Sequence, residues 1–320
     1  MPKKHASGDP PSKGEALAPL RILVAWRNDA SGAEALQFAA WLARTTPICL
    51  RAAMVFTRPW PTSSLNKMGN KYQKWLKKKS AACATAIKKE LLSADVPKEY
   101  WDEEFSIFLD GTSETALLTQ AATSFQADLV VLGSHAGAPK GRFRAGSTAD
   151  AMLHSSPLPL GLTPRSVKLS KRGVTRITCA FVDFEDASEL IHSAADLASH
   201  WQVPLRIVTF APEELNEGLE HSIDFEAELS HEWREQSLAF LDRAHDLVLS
   251  KHPQLSVTTE IGSGKGWSGA IDALKWKKGD LLYIGSTPLG PFERVFVGST
   301  TNEILRHIRV PMLIKPAVTH

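Results

Sequence analysis

Two glycine-bounded stretches carry the residue types from which an anion site would be built. The first runs from Gly133 through Ala136, Lys140, Arg142 and Arg144 to Gly146, Ser147 and Thr148. The second runs from Gly285 through Pro288 and Arg294 to Gly298, Ser299 and Thr300. They align without gaps at a constant offset of 152 residues (285 − 133 and 298 − 146). The same offset pairs Asp128 with Asp280, Leu153 with Leu305 and Pro159 with Pro311, so a whole supersecondary unit is duplicated. In each copy an apolar run, 129–132 or 281–284, ends on the glycine and reads as a buried strand. Gly-Ser-Thr then opens an amphipathic segment as a helix cap would. Strand, glycine loop and helix start together turn free N–H groups and partial positive charge outward, which suits an anion.

The basic residues Lys140, Arg142 and Arg144 offer charge to a phosphate in the first loop, whereas Arg294 in the second is opposed by Glu293. A solvated rim is the plainer reading of the same residues. Pro288 has no N–H to donate and fixes φ near −65°, so the second loop is the poorer cradle. No Gly-x-Ser-x-Gly elbow, His-Glu-x-x-His, Walker motif or paired-carboxylate pattern is present in the sequence. His135 has no nucleophile pattern near it and reads as a loop residue. Catalytic residues and metal ligands are therefore not assigned, and the chain is not read as an enzyme.

The elements that must position these loops follow an alternating pattern. Residues 1–19 are rich in Pro, Gly, Ser and Lys and read as a disordered tail. Strands are expected near 22–26, 48–56, 104–109, 129–132 and 160–162, with helices from Asp29, over about 71–92 and over 113–125 between them. A basic linker, 165–175, leads to a second unit over 176–320, with strands near 177–182, 204–210, 255–261, 281–284 and 312–314. The long helix of the second unit should bury Phe225, Leu229, Trp233, Phe240, Ala244 and Leu247. Strands alternating with helices imply an α/β fold: two tandem open five-stranded parallel-sheet domains, the first over 20–164. The chain has 320 residues, 43% hydrophobic and 22% charged, with a formal net charge of +2, as befits a soluble globular protein and neither for nor against nucleic acid. No apolar run approaches the roughly 20 residues of a membrane span. Three cysteines, Cys49, Cys83 and Cys179, show no ligand spacing and read as reduced thiols of a cytoplasmic protein.

These motifs resemble the universal stress protein family in its tandem, two-domain form, over nearly the whole chain. Nucleotide-binding members carry Gly, two residues, Gly, nine residues, Gly and then Ser or Thr. Gly133 and Gly285 match the first glycine, Gly146 and Gly298 the last, and Ser147 and Ser299 the hydroxyl position. Ala136 and Pro288 replace the middle glycine. The resemblance implies an adenine-nucleotide alpha-hydrolase-like fold with strand order 3-2-1-4-5 and a crevice between the first and fourth strands. Its implied ligand is ATP or another adenine nucleotide, held by Gly133, Ala136, Gly146, Ser147 and Thr148, or by Asp183, Gly285, Gly298, Ser299 and Thr300. The family's ribose-binding acid falls near Asp183 in the second half, whereas Arg27 stands there in the first, with Asp29 nearby. A role as a non-catalytic stress-response regulator follows from the resemblance; the alternative is a nucleotide-independent interaction module. The resemblance also implies that the two domains pair through their final strands about a pseudo-twofold axis.

One difference between the copies stands out. From Lys67 to Lys89 the first holds eight lysines and no acid, and from Glu213 to Glu235 the second holds nine acids and one arginine. Opposite charge at equivalent places suits self-association, including a dimer of chains; two solvated faces are the plainer reading.

Overall fold

The computed structural model describes residues 18–58, 69–181, 187–213, 223–286 and 299–315. Residues 1–17 of the proposed tail, Asp183, residues 214–222 of the acid-rich stretch, Pro288, Arg294 and Gly298 lie outside them. In the first half the elements are β1 (Leu20–Ala25), α1 (Ala30–Ala43), β2 (Ile48–Thr57), α2 (Asn70–Ser93), β3 (Trp101–Gly111), α3 (Glu114–Phe125), β4 (Leu129–Gly133), α4 (Ser147–Leu153) and β5 (Leu160–Thr163). The second half follows with β6 (Arg176–Ala180), α5 (Ala187–His200), β7 (Leu205–Glu213), α6 (Ile223–Lys251), β8 (Val257–Lys265), α7 (Gly266–Ala273), β9 (Asp280–Gly285), α8 (Ser299–His307) and β10 (Met312–Lys315).

All of these strands join one ten-stranded sheet, ordered β3-β2-β1-β4-β5-β10-β9-β6-β7-β8. Each half is parallel in the order 3-2-1-4-5, and the halves meet where β5 and β10 pair antiparallel. The register there places Gly161 opposite Leu313, its own counterpart at the 152-residue offset, while Leu162 faces Met312 and Leu160 faces Ile314. A residue facing its own repeat, with its neighbours exchanged, is the mark of a local twofold axis.

Alternation of side chains along each strand feeds two apolar layers. Ile22, Val24, Leu129 and Val131 point to the layer under α1 and α2, which is continuous with that under α5 and α6. Leu23, Val130 and Leu132 point to the opposite layer, beneath α3, α4 and α7. Among the described residues the buried apolar face of α6 is Leu241, Ala244 and Val248. Of the expected residues Ala244 is buried, Phe240 and Leu247 are half-buried, and the side chains of Phe225, Leu229 and Trp233 lie outside the described set. Phe240 tilts instead against Phe181, with ring centroids 4.7 Å apart. Helix α7 is absent from the sequence expectation, because Gly262, Gly264, Gly266 and Gly269 read as loop. Its glycines let it lie directly on β8: a Cβ on Gly264 would stand 2.7 Å from the Gly269 carbonyl carbon.

The three thiols are free, and Cys83 and Cys179 are buried. Burial pushes the Cys179 thiol up to about 12 and, against a lowering contact with Ser106, the Cys83 thiol to about 11. An unfolded thiol ionises near 9, so the stability gained by keeping these two protonated is full below that pH. It is lost as the pH rises towards 11–12. A melting temperature that falls across this window is the expected result; a flat profile would show that neither thiol is held protonated by the fold.

Candidate functional site

A crevice of about 150 Å³ opens outside the carboxyl ends of β1 and β4, where the strand order reverses. One wall comes from β1 and the start of α1, with Arg27, Asp29 and Ser31; the other comes from Gly133, His135, Ala136 and the Gly146–Ala149 turn. Glu114, the first residue of α3, closes one end.

The walls are held by local chemistry. Asp29 caps α1, its Oδ1 accepting from the Gly32 N–H at 3.1 Å. Gly32 and Gly133 are required by close packing: a Cβ on Gly32 would lie 2.0 Å from the Arg27 carbonyl oxygen, and one on Gly133 2.0 Å from that of Ser31. The loop between Gly133 and Gly146 closes on itself. The buried Ser134 Oγ accepts from the Arg144 N–H at 3.0 Å, and the His135 N–H donates to the Arg144 carbonyl at 2.8 Å. His135 serves as a loop brace, its Nδ1 accepting from the Gly137 N–H at 3.0 Å.

Several expected roles change. Ser147 is not a cap. Gly146, extended at φ −84° and ψ 174°, occupies that position, and no side chain caps the helix. Capping therefore does not explain the Gly-Ser-Thr sequence, and Ser147 and Thr148 line the crevice instead. A Cβ on Gly146 would meet only the His135 ring, at 3.7 Å, so neither backbone nor packing demands glycine there. Lys140, Arg142 and Arg144 do not line the crevice. Arg142 turns to the other half, where it donates to the His307 carbonyl and stands 3.9 Å from Asp272. Arg27 pairs with Glu114, at 3.1 Å, rather than with Asp29. Sequence reasoning missed Glu114, because a partner 87 residues away leaves no local signal.

In the second half Gly285 ends β9, and among the described residues a Cβ there would touch only the Leu190 side chain, at 3.4 Å. Ser299 and Thr300 begin α8. Among the described residues no cluster of His, Cys, Asp and Glu could hold a metal ion, and no helix is long and apolar enough to cross a membrane.

Two parallel α/β halves with a crevice at the strand-order switch define a tandem, open parallel-sheet α/β architecture. Solved structures share it. A universal stress protein from Archaeoglobus fulgidus matches 92% of this chain and 97% of its own, with a TM-score of 0.57 at 14% identity. A putative universal stress protein from Pseudomonas aeruginosa matches 93% of this chain and 94% of its own, with a TM-score of 0.51 at 15% identity. The universal stress protein family model matches residues 20–164 and again 173–316. A universal stress protein of Mycobacterium tuberculosis is 31% identical over 307 residues, covering 93% of this chain and all of the relative. This chain belongs to the universal stress protein family, and membership supports a role in the response to stress.

Proposed function

We propose that this is a non-catalytic stress-response protein whose first-half crevice takes an adenine nucleotide. The observation that carries the reading is Gly146. It faces open space at the lip of the crevice, beside Ser147 and Thr148, at a helix start that no side chain caps. A position where the fold tolerates a side chain yet the sequence has none is one that a ligand's close approach explains. The helix-start amides and the two hydroxyls supply donors to phosphate oxygens, and Asp29 supplies an acceptor for a sugar hydroxyl. The crevice is smaller than the roughly 300–1,000 Å³ of sites that enclose a ligand, so only part of a nucleotide is enclosed.

Calorimetry with ATP tests this. Gly146→Asp is accommodated by the fold and places a carboxylate where phosphate would lie, so binding should weaken about tenfold or more. Gly298→Asp should leave it nearly intact. The reverse ranking, or no binding by the parent chain, would refute the assignment to the first half.

A second reading, a nucleotide-independent interaction module, is favoured by the Arg27–Glu114 pair. That contact ties up Arg27, the one arginine or lysine among the described residues lining the crevice. Absence of ATP binding in both the parent chain and Glu114→Gln, which frees Arg27, would establish it.

We further propose that two chains associate through unlike charge. Helix α2 packs on the edge strand β3 and α6 on β7 and β8, at opposite ends of the sheet. The described parts of the lysine-rich and acid-rich stretches, on α2 and α6, therefore stand apart within one chain, and in this proposal they meet between chains. Lys74, Lys77 and Lys78 are exposed. Sedimentation should show a dimer that weakens with salt, because screening acts over roughly 8 Å at physiological ionic strength. Changing those three lysines to Glu should weaken it further. A monomer at low salt would overturn the proposal.

A further inference from the structure

A second concavity lies apart from the crevice. A cleft of about 270 Å³ lies where the linker crosses the junction of the two halves. We propose that this cleft is a binding site for a compact polyphosphate anion, distinct from the crevice above.

The charge is one-sided. Lys168, Lys277, Lys278 and Arg309 line the cleft, and among the described residues no carboxylate does. Three carboxylates bond to lining residues from outside the cleft: Glu34 and Asp280 accept from the backbone N–H groups of Ser166 at 2.7 Å and Lys277 at 2.8 Å, and Asp272 is divided between the Arg309 side chain at 2.9 Å and Arg142 at 3.9 Å. Arg142 lies below its ordinary range, through burial first and the neighbouring Arg309 second. Like charges gathered around one concavity repel each other, and an anion of several charges relieves that repulsion. Three of the cations are lysines with freely turning ammonium groups, which suit a flexible phosphate chain better than one planar carboxylate.

The floor is apolar and held in place. Val310 is buried, and Pro311 and Trp276 complete the base. The Trp276 indole N–H donates to the Ile271 carbonyl at 2.8 Å, and the buried Arg206 guanidinium stands 4.8 Å from the ring centre. The linker is tied as well: the Ser170 N–H donates to the Lys278 carbonyl at 2.9 Å, and the Ser166 N–H donates to Glu34 at 2.7 Å. Ser166 turns in the left-handed region, φ 51°, which brings Val167 and Lys168 to the cleft. Backbone and ring are fixed before any ligand arrives, while the lysine heads remain free.

The duplication supplies an internal comparison. At the 152-residue offset Trp276, Lys277, Lys278 and Arg309 correspond to Ser124, Phe125, Gln126 and Pro157 (276 − 124 and 309 − 157). The first half folds with no charge at any of these places, so the fold does not require these cations. Phe125 is buried, whereas Lys277 points to solvent. The basic set is thus a property of one half alone.

Calorimetry of the full chain with inorganic tripolyphosphate, inorganic phosphate and ATP tests the proposal. Tripolyphosphate should bind once per chain, more tightly than phosphate, and less tightly as salt rises. Lys277→Glu with Lys278→Glu should weaken it about tenfold or more; Gln at both positions should weaken it less. Both lysines are exposed, and an unchanged melting curve checks that the variants fold. Gly146→Asp should leave tripolyphosphate binding intact. ATP that competes with tripolyphosphate identifies a nucleotide as the source of the phosphate chain, and ATP that does not compete identifies the inorganic chain. ATP binding lost with the lysines but kept in Gly146→Asp would sink the crevice reading and leave this one standing. No saturable tripolyphosphate binding, or binding indifferent to the lysine reversal, would overturn the cleft.

Discussion

Gly133→Ala is expected to destabilise the protein by about 3 kcal/mol or more, while Gly285→Ala at the matching place in the second half costs under about 1 kcal/mol. The two glycines occupy the same motif position and differ in what surrounds them. At Gly133 the new methyl would sit 2.0 Å from the Ser31 carbonyl oxygen, which is backbone in the first turn of α1. Relief requires α1 to move off β4, taking Phe38 and Trp41 out of the core. At Gly285 the methyl meets, among the described residues, only the Leu190 side chain at 3.4 Å, an ordinary contact. Thermal melts should separate the two by roughly 5–10 °C. Equal effects would show that the α1–β4 contact is softer than the geometry states. The comparison also governs how binding data are read. Loss of nucleotide binding in Gly133→Ala would report a displaced helix, whereas loss in Gly146→Asp reports the ligand.

Asp280→Ala is expected to cost about 3–5 kcal/mol, because it strands buried positive charge. The Asp280 carboxylate is wholly buried and accepts from Arg176 Nε at 3.0 Å, Arg176 Nη2 at 2.6 Å and the Lys277 N–H at 2.8 Å. Arg206, only 2% exposed, stands 3.8 Å away. Asp128, the counterpart in the first half, is exposed and accepts from the Arg21 N–H at 2.8 Å. Asp128→Ala should cost about 1 kcal/mol, the usual worth of one hydrogen bond. Denaturant unfolding of the two variants measures the difference. Similar losses would mean that Arg206 and Arg176 find other partners once the carboxylate is gone. Asp280 also holds the turn at Lys277, so the variant should loosen the basic cleft.

Much of this architecture was legible because it rests on short-range pattern. Apolar runs ending on glycine gave β4 and β9, and the order 3-2-1-4-5 followed from the family resemblance. Side-chain direction in loops was not legible. Arg142 looks like a phosphate ligand from its neighbours in sequence, yet its partners, His307 and Asp272, lie in the other half. Arg27 found Glu114 for the same reason. The basic cleft assembles from three stretches, near residues 166, 276 and 309, that only the fold brings together. Helix α7 escaped notice because its glycines serve close approach to β8, a use that looks the same as a loop in a single sequence.

The antiparallel joint of β5 and β10 has a consequence for how the two copies can change over time. Separate subunits pairing through these strands would carry every substitution twice, once on each side of the axis. Here the linker fixes one copy of each half in every molecule. A lysine acquired at 277 leaves Phe125 untouched, and Pro288 can enter one loop while the other keeps Ala136. The tandem chain is a partnership whose members cannot be exchanged, so each is free to specialise.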